Sequence, residues 1–303
     1  MLSPAVTFLN GFSSRLGSLG LLTFPDALPA DAQFCRLFSY AGGQWGSQDL
    51  KFQCKSITVK SDPARSYKAW WVLGKNGELA EIAGGAPTLR QIPGAGLMGL
   101  SEPYGYVEAI KSIGGELYVC GHGRQVYKQV GNDWVSIAGH ILTHEPACGF
   151  FDIDGADAQH VYAVGWHGEI YFHDGQAWHR DDSPTTAHLG AVRCLGPDDV
   201  WICGNQGIVL HGHFNQWQRV DDAAFTGNWY SIEAFNGQIW LAGNDVLARI
   251  VDGAIERVDP GLGKPFTVHK LHAKDGLLWT IGRADILTFD GKSWSEVIHP
   301  DNV

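Results

Sequence analysis

Long apolar runs are missing from this chain: no stretch of 18 consecutive apolar residues occurs in its 303 positions, so no helix is expected to cross a bilayer. Positive charge is scarce. Against 32 Asp and Glu stand 22 Lys and Arg, a net charge of −10, which repels phosphate backbones, excludes nucleic acid as a favoured partner and makes a basic protein the better candidate. Cysteine is sparse and unpatterned. Six are present without a C-x-x-C pair to hold zinc. Cys120 and Cys203 each stand directly before a repeated glycine, as small apolar fillers. All six are expected to be reduced thiols. Also absent are H-E-x-x-H, a nucleophile elbow and a phosphate-cradling glycine loop; the Gly-x-x-Gly at 74–77, 165–168 and 204–207 punctuates turns. No useful length of helical periodicity appears. Met1–Leu22 starts without a basic region and is broken by Asn10, Ser13, Ser14 and Arg15, unlike a secretory leader. Together with the thiols this points to the cytoplasm.

Glycine (39) and tryptophan (12) are what the chain has in quantity, a composition suited to short strands joined by tight turns. The stretch Asp199–Val220 reads as three strands in succession, with turns at Gly204–Gly207 and Gly212–Asn215. Its Trp201-Ile-Cys-Gly204 recurs at Trp240–Gly243 and Trp279–Gly282, each 39 residues on. Upstream the same aromatic-x-x-Gly signature stands at Tyr162–Gly165, Tyr118–Gly121 and Trp71–Gly74. A second marker keeps phase with the first: Trp134, Trp178, Trp217 and Trp294 follow the glycine by about 13 residues. A period near 40 made of strands specifies an all-β fold, a β-propeller of four-stranded blades in one domain. Repeats fall at about 50–96, 103–140, 148–183, 187–222, 228–259 and 266–299. Residues 1–48 are less regular, with strands at Val6–Phe12, Gly20–Phe24 and Phe34–Ala41 and a faint echo of the tryptophan turn at Gly42-Gly-Gln-Trp45. They form an irregular blade or a ring-closing segment, so seven blades are preferred over six. The marker tryptophans are expected to pack on the blade in front.

The pattern D-V-W-x-x-G-x-x-G-x-x-x-H-x-x-x-x-W at Asp199–Trp217 resembles the bacterial propeller repeats grouped with Asp-box (BNR) and photosystem-II-assembly-factor-like proteins, within a sialidase-like superfamily. The resemblance covers about 70–260 well and implies the fold more than a function, since that group includes enzymes and binding factors. Of the fuller Asp-box only Asp-Gly and Trp remain, as in Asp174-Gly-Gln-Ala-Trp178 and Asp290-Gly-Lys-Ser-Trp294; Asp-Gly is in any case a favoured tight-turn pair. A sialidase-like hydrolase needs an arginine cluster, a Tyr–Glu nucleophile pair and an acid. Only Arg193 and Arg283 are placed to approach the axis. Glu108 beside Tyr104 and Tyr106, or the alternating Asp152 and Asp154, would be the carboxylates. Glycan binding or hydrolysis is therefore the alternative reading. The histidines, including His173, His211 and His213, read as surface or rim groups, and neither a metal nor a cofactor is expected.

What remains is a non-enzymatic, protein-binding surface. In a propeller the turns between second and third strands share one face with the links between blades. After each repeated glycine the sequence varies: Lys75-Asn76, His122, Trp166-His167, Asn205-Gln206, Asn244-Asp245 and Arg283. Tyr104, Tyr106, Trp229 and Tyr230 enter the same face from the links, or else pack between blades. A constant frame carrying variable turns is how a rigid scaffold presents a recognition surface. The sequence thus points to a chain, monomeric alone, that binds a partner protein through this face, for example as an immunity protein neutralising a toxin.

Overall fold

Each period folds into four antiparallel strands that pair in chain order. The computed structural model describes residues 5–62, 67–97, 104–220 and 225–302; the start of the N-terminal apolar stretch, residues 1–4, lies outside them. Blade I comprises β1 Val6–Phe12, β2 Ser18–Pro25, β3 Cys35–Ala41 and β4 Gln44–Leu50. Blade II has β5 Cys54–Asp62, β6 Tyr67–Gly74, β7 Glu78–Ile82 and β8 Thr88–Gln91. Blade III has β9 Val107–Ile113, β10 Glu116–Gly121, β11 Val126–Val130 and β12 Asp133–Ser136. Blade IV has β13 Phe150–Asp157, β14 His160–Gly165, β15 Ile170–His173 and β16 Trp178–Arg180. Blade V has β17 Leu189–Gly196, β18 Asp199–Gly204, β19 Val209–His213 and β20 Gln216–Arg219. Blade VI has β21 Trp229–Phe235, β22 Gln238–Gly243, β23 Leu247–Val251 and β24 Ala254–Val258. Blade VII has β25 Lys270–Lys274, β26 Leu277–Ile281, β27 Ile286–Phe289 and β28 Trp294–Glu296. The fold is a seven-bladed β-propeller, and residues 6–50 are a complete blade.

A lone four-stranded sheet cannot bury both faces, so the core lies between blades. Seven hydrophobic clusters mark seven interfaces, each formed by two neighbouring blades. The one joining blades VII and I contains Phe8, Leu19 and Leu21 from the start of the chain and Trp279, Ile281 and Ile286 from its end. No strand is exchanged at this seam. Instead Phe8 N–H donates to Arg283 O (2.8 Å), and Asn302 clamps Val6, accepting from its N–H (3.0 Å) and donating to its carbonyl (2.9 Å).

Both sequence markers acquire a physical reason. Trp71, Tyr118, Tyr162, Trp240 and Trp279 are buried between blades; Trp201 is half-buried, stacked on His211 at 3.9 Å with its indole N–H on Asp199. The glycine that follows is needed for close approach: a Cβ at Gly165 or Gly204 would strike the chain entering the same blade. Outer-strand tryptophans lean on the preceding blade. Trp178 donates to Ile137 O (3.0 Å) and Trp217 to Asp181 Oδ2 (2.7 Å). Trp45, in the faint N-terminal echo, donates to Ile298 O (3.2 Å) and so joins blade I to the last blade's exit.

In six of the seven blades the innermost strand carries a β-bulge in its first half, directly after its first residue in five of them, as between Phe150 and Asp152 or Trp229 and Ser231. Past the bulge, residues two apart form tiers round the axis. Asn10, Ser56, Ala109, Asp152, Ala191, Ser231 and Lys270 make one tier by register. Free edge N–H groups of these strands need acceptors. Asp152 and Asp154 supply them to Val192 (3.1 Å) and Cys194 (3.0 Å) of blade V, and Ser231 to Leu271 (3.1 Å) of blade VII. The two aspartates are thus blade-to-blade staples, not a solvated acid–base pair. His173 also differs from expectation: it is buried, not on the surface, because its ring packs on Trp178 at 4.9 Å and its Nδ1 accepts from Gly175 N–H.

Candidate functional site

The second-to-third-strand turns are held by backbone on two sides. Trp166 N–H donates to Gly149 O and Asn205 N–H to His188 O, both in the link entering the same blade. The link to the next blade grips the same turns: Val107 N–H donates to Lys75 O, Val268 N–H to Asn244 O. Side chains at the start of third strands tighten the arrangement. Buried Gln125 bonds Gly96 N–H, Gly105 O and His122 O, while Glu169 accepts from Gly149 N–H and from Arg124 (2.6 Å). His167 and Gln206 adopt left-handed backbone (φ 50° and 60°), each followed by a left-handed glycine, which turns the chain tightly and leaves both side chains exposed. Turns and links are thus tied together by backbone hydrogen bonds on one face.

The face is chemically uneven. Over blades II to V it carries a continuous aromatic and histidine cluster. Trp166 lies 5.2 Å from Phe151, 5.9 Å from His122 and 4.8 Å from His188, and His167 sits 4.9 Å from His188. His167 N–H donates to His188 Nδ1 (3.0 Å). The His188 imidazole is held below its ordinary pKa by burial and by His167. Trp166 is half-buried with its indole N–H unpartnered. Beside the cluster Glu108 receives Lys55 on both oxygens (2.9 Å) and His122 Nε2 at 3.1 Å. Burial alone would raise the Glu108 carboxyl, but the His122 contact and the Lys55 ammonium outweigh it and hold it below the usual range. Lys75 lies 4.9 Å over the Tyr106 ring and Lys55 5.9 Å from it. Glu108 is therefore a paired structural carboxylate, and Tyr104 stacks on His144 at 4.1 Å.

The structure brings Lys75, Tyr106, His122, Trp166 and His167 together. It places Asn205 and Gln206 on the adjoining turn, where Gln206 N–H meets Asn228. Asn244, Asp245 and Arg283 are exposed on the far side of the rim, with Tyr230 at 45 % exposure. Two expected contacts are withdrawn by burial. Asn76 is folded into its own turn, bonding Glu78 and Leu97 N–H, and Trp229 is 1 % exposed against Phe225 between blades V and VI. Sequence reasoning missed Phe151, Lys55 and His188. Phe151 and Lys55 are the bulge residues of their strands, pushed out of alternation and onto the face; the signal was an apolar or charged residue breaking the alternation just after a link. Among the described residues no three His, Cys, Asp or Glu side chains converge as metal ligands, and no helix is long and apolar enough to cross a membrane.

Solved propellers share this architecture. The structure titled YCF48 bound to D1 peptide matches 99 % of this chain and 94 % of its own, with a TM-score of 0.67 at 14 % identity. The WD40 propeller domain of Doa1 matches 97 % and 94 %, with a TM-score of 0.65 at 12 % identity. Identities this low establish the fold alone, which is the class: a seven-bladed β-propeller. No family model matches the sequence. The immune protein Tsi7 of Pseudomonas aeruginosa is 32 % identical over 265 residues, covering 84 % of this chain and 85 % of its own. The chain belongs to the family of that immune protein.

Proposed function

We infer that this protein is a non-enzymatic immunity protein that neutralises a toxin by covering it with the Trp166 side of the upper face. The observation that carries the contact site is the cluster of Trp166, Phe151, His122, His167 and His188, aromatic and only partly covered, on backbone fixed from two sides. Exposed aromatics on a rigid frame give large contact area with little ordering entropy, the character of an interface hot spot. The relationship to Tsi7 supports the biological role. The net charge of −10 attracts a basic toxin at long range, while the lysines near Tyr106 leave the contact corner itself free of net acid. Six buried, unpaired cysteines suit a reducing cytoplasm.

The test is recovery of the partner from the native host with tagged protein, followed by binding measurements on Phe151→Ala/Trp166→Ala. A loss of at least about 30-fold in affinity, with loss of protection in cells expressing the toxin, is expected. Unchanged affinity and protection would remove this face from the interface. Release of a product from the toxin or a glycan by the isolated chain would remove the non-enzymatic reading.

A further inference from the structure

The axial cavity is chemically distinct from the face above it. Its volume is about 360 Å³ and all seven innermost strands line it. Five cations, Lys68, Lys111, Arg193, Lys270 and Lys274, meet three carboxylates, Asp152, Asp154 and Glu233, a local excess of positive charge inside a protein of charge −10. The carboxylates are already engaged. Asp152 Oδ2 takes Val192 N–H and faces Lys111 Nζ at 4.0 Å. Asp154 Oδ2 takes Cys194 N–H and Arg193 (3.4 Å). Glu233 Oε1 takes Ala234 N–H and pairs with Arg193 Nε (2.9 Å).

Two donors on β25 are left over. Lys270 is half-buried on the cavity lining, and it has no hydrogen bond or ion pair among the described residues. Burial, the largest influence, lowers its pKa against the opposing pull of Asp152 and Glu233. His272, two residues on, lies against Phe12 at 3.8 Å. Its Nδ1 accepts Ser13 N–H (3.1 Å), so the neutral ring carries its proton on Nε2. Burial and the surrounding cations keep that ring neutral. Lys270, His272 and Lys274 alternate along one side of the strand, with Lys274 and Lys68 on the same cavity wall. We propose that the cavity binds one small tetrahedral oxyanion of the phosphate or sulfate class, held between the Lys270 ammonium and the His272 Nε2–H.

The full chain, exchanged into a buffer free of both anions, is titrated with sodium phosphate, sulfate, acetate and chloride at matched ionic strength. Thermal unfolding and titration calorimetry are followed. Phosphate or sulfate is expected to give saturable binding and a rising Tm. Lys270→Met is expected to weaken that binding about ten-fold or more, as for a lost charged hydrogen bond, and Lys270→Arg to retain it. Lys270→Gln gives the same reading if Lys270→Met does not fold. No saturable binding, a response common to chloride, saturation by acetate alone, or binding unchanged in the Lys270 variants would each overturn the assignment. Because the anion sits on the axis and not at Trp166, its loss and the loss of toxin binding are separate results.

Discussion

Blades III and IV and blades VI and VII share one four-stranded plan, yet they offer different chemistry at the same rim. In blade IV the bulge residue is Phe151 and the turn begins with Trp166, so an aromatic surface continues from one to the other. In blade VI the bulge residue is the half-exposed Tyr230, and the turn presents Asn244 and Asp245. In the link entering blade VII, His269 is spent on the seam, donating to Leu9 O (3.1 Å). The contrast teaches that position within the repeat fixes where a side chain can appear, whereas its neighbour in the adjoining blade fixes whether it contributes to a surface. Two tryptophans make the point: Trp166 is on the face, while Trp229, for which the sequence left both the face and packing between blades open, is an interior strut.

The largest effect that would sharpen this contrast is on stability. Trp229→Ala should cost about 3–5 kcal/mol by opening a cavity between blades V and VI, whereas Trp166→Ala should cost no more than about 1 kcal/mol; denaturant midpoints of the two variants decide it. Next comes affinity. Phe151→Ala/Trp166→Ala should lose at least about 2 kcal/mol of toxin binding by calorimetry, and a smaller loss than from variants over blades VI and VII would invert the comparison. Acid tests the seam. His299 is wedged against Phe8, Phe38 and Trp45 (5.1, 4.3 and 4.7 Å), and burial lowers its pKa from 6.5 to about 4. The unfolded chain takes up that proton below pH 6.5 and the folded chain only near pH 4. Stability is therefore full above 6.5 and declines as pH falls to about 4, by roughly 2–3 kcal/mol. His299→Phe should flatten that part of the Tm–pH curve; an unchanged slope would place the acid lability elsewhere. Lys75→Ala, removing a cation from the Tyr106 ring, should weaken the complex by about 0.5–1 kcal/mol. Least of all, Asp245→Lys and Arg283→Ala should shift affinity by under about 0.5 kcal/mol, and a ten-fold change in either would extend the interface across the rim.

Much of the scaffold was legible because its constraints are local. A second-strand aromatic and a glycine beneath the incoming chain recur in six blades and an outer-strand tryptophan in five, so the markers are visible every 40 or so residues. Blade I was harder to read because its equivalents of the second-strand aromatic and glycine are Gly20 and Thr23, leaving Trp45 as its one clear marker. The face was half legible: variable turns after constant glycines located Trp166 and His122, but the bulges that expose Phe151 and Lys55 and the contacts that bury Asn76 leave no periodic trace.

From sequence alone came strand order, blade boundaries, the absence of enzyme signatures and the face on which variation is concentrated, since each follows from spacing and residue type within one repeat. Only the tertiary structure decided that residues 6–50 complete a seventh blade, that Asp152 and Asp154 staple one blade to the next, and that Lys270 and His272 line the axial cavity with no side-chain acceptor for either among the described residues. Those outcomes depend on which side chains meet across interfaces between blades some 40 residues apart in the chain, and across a seam joining its two ends. Such pairings are set by closing the ring and have no counterpart in the period.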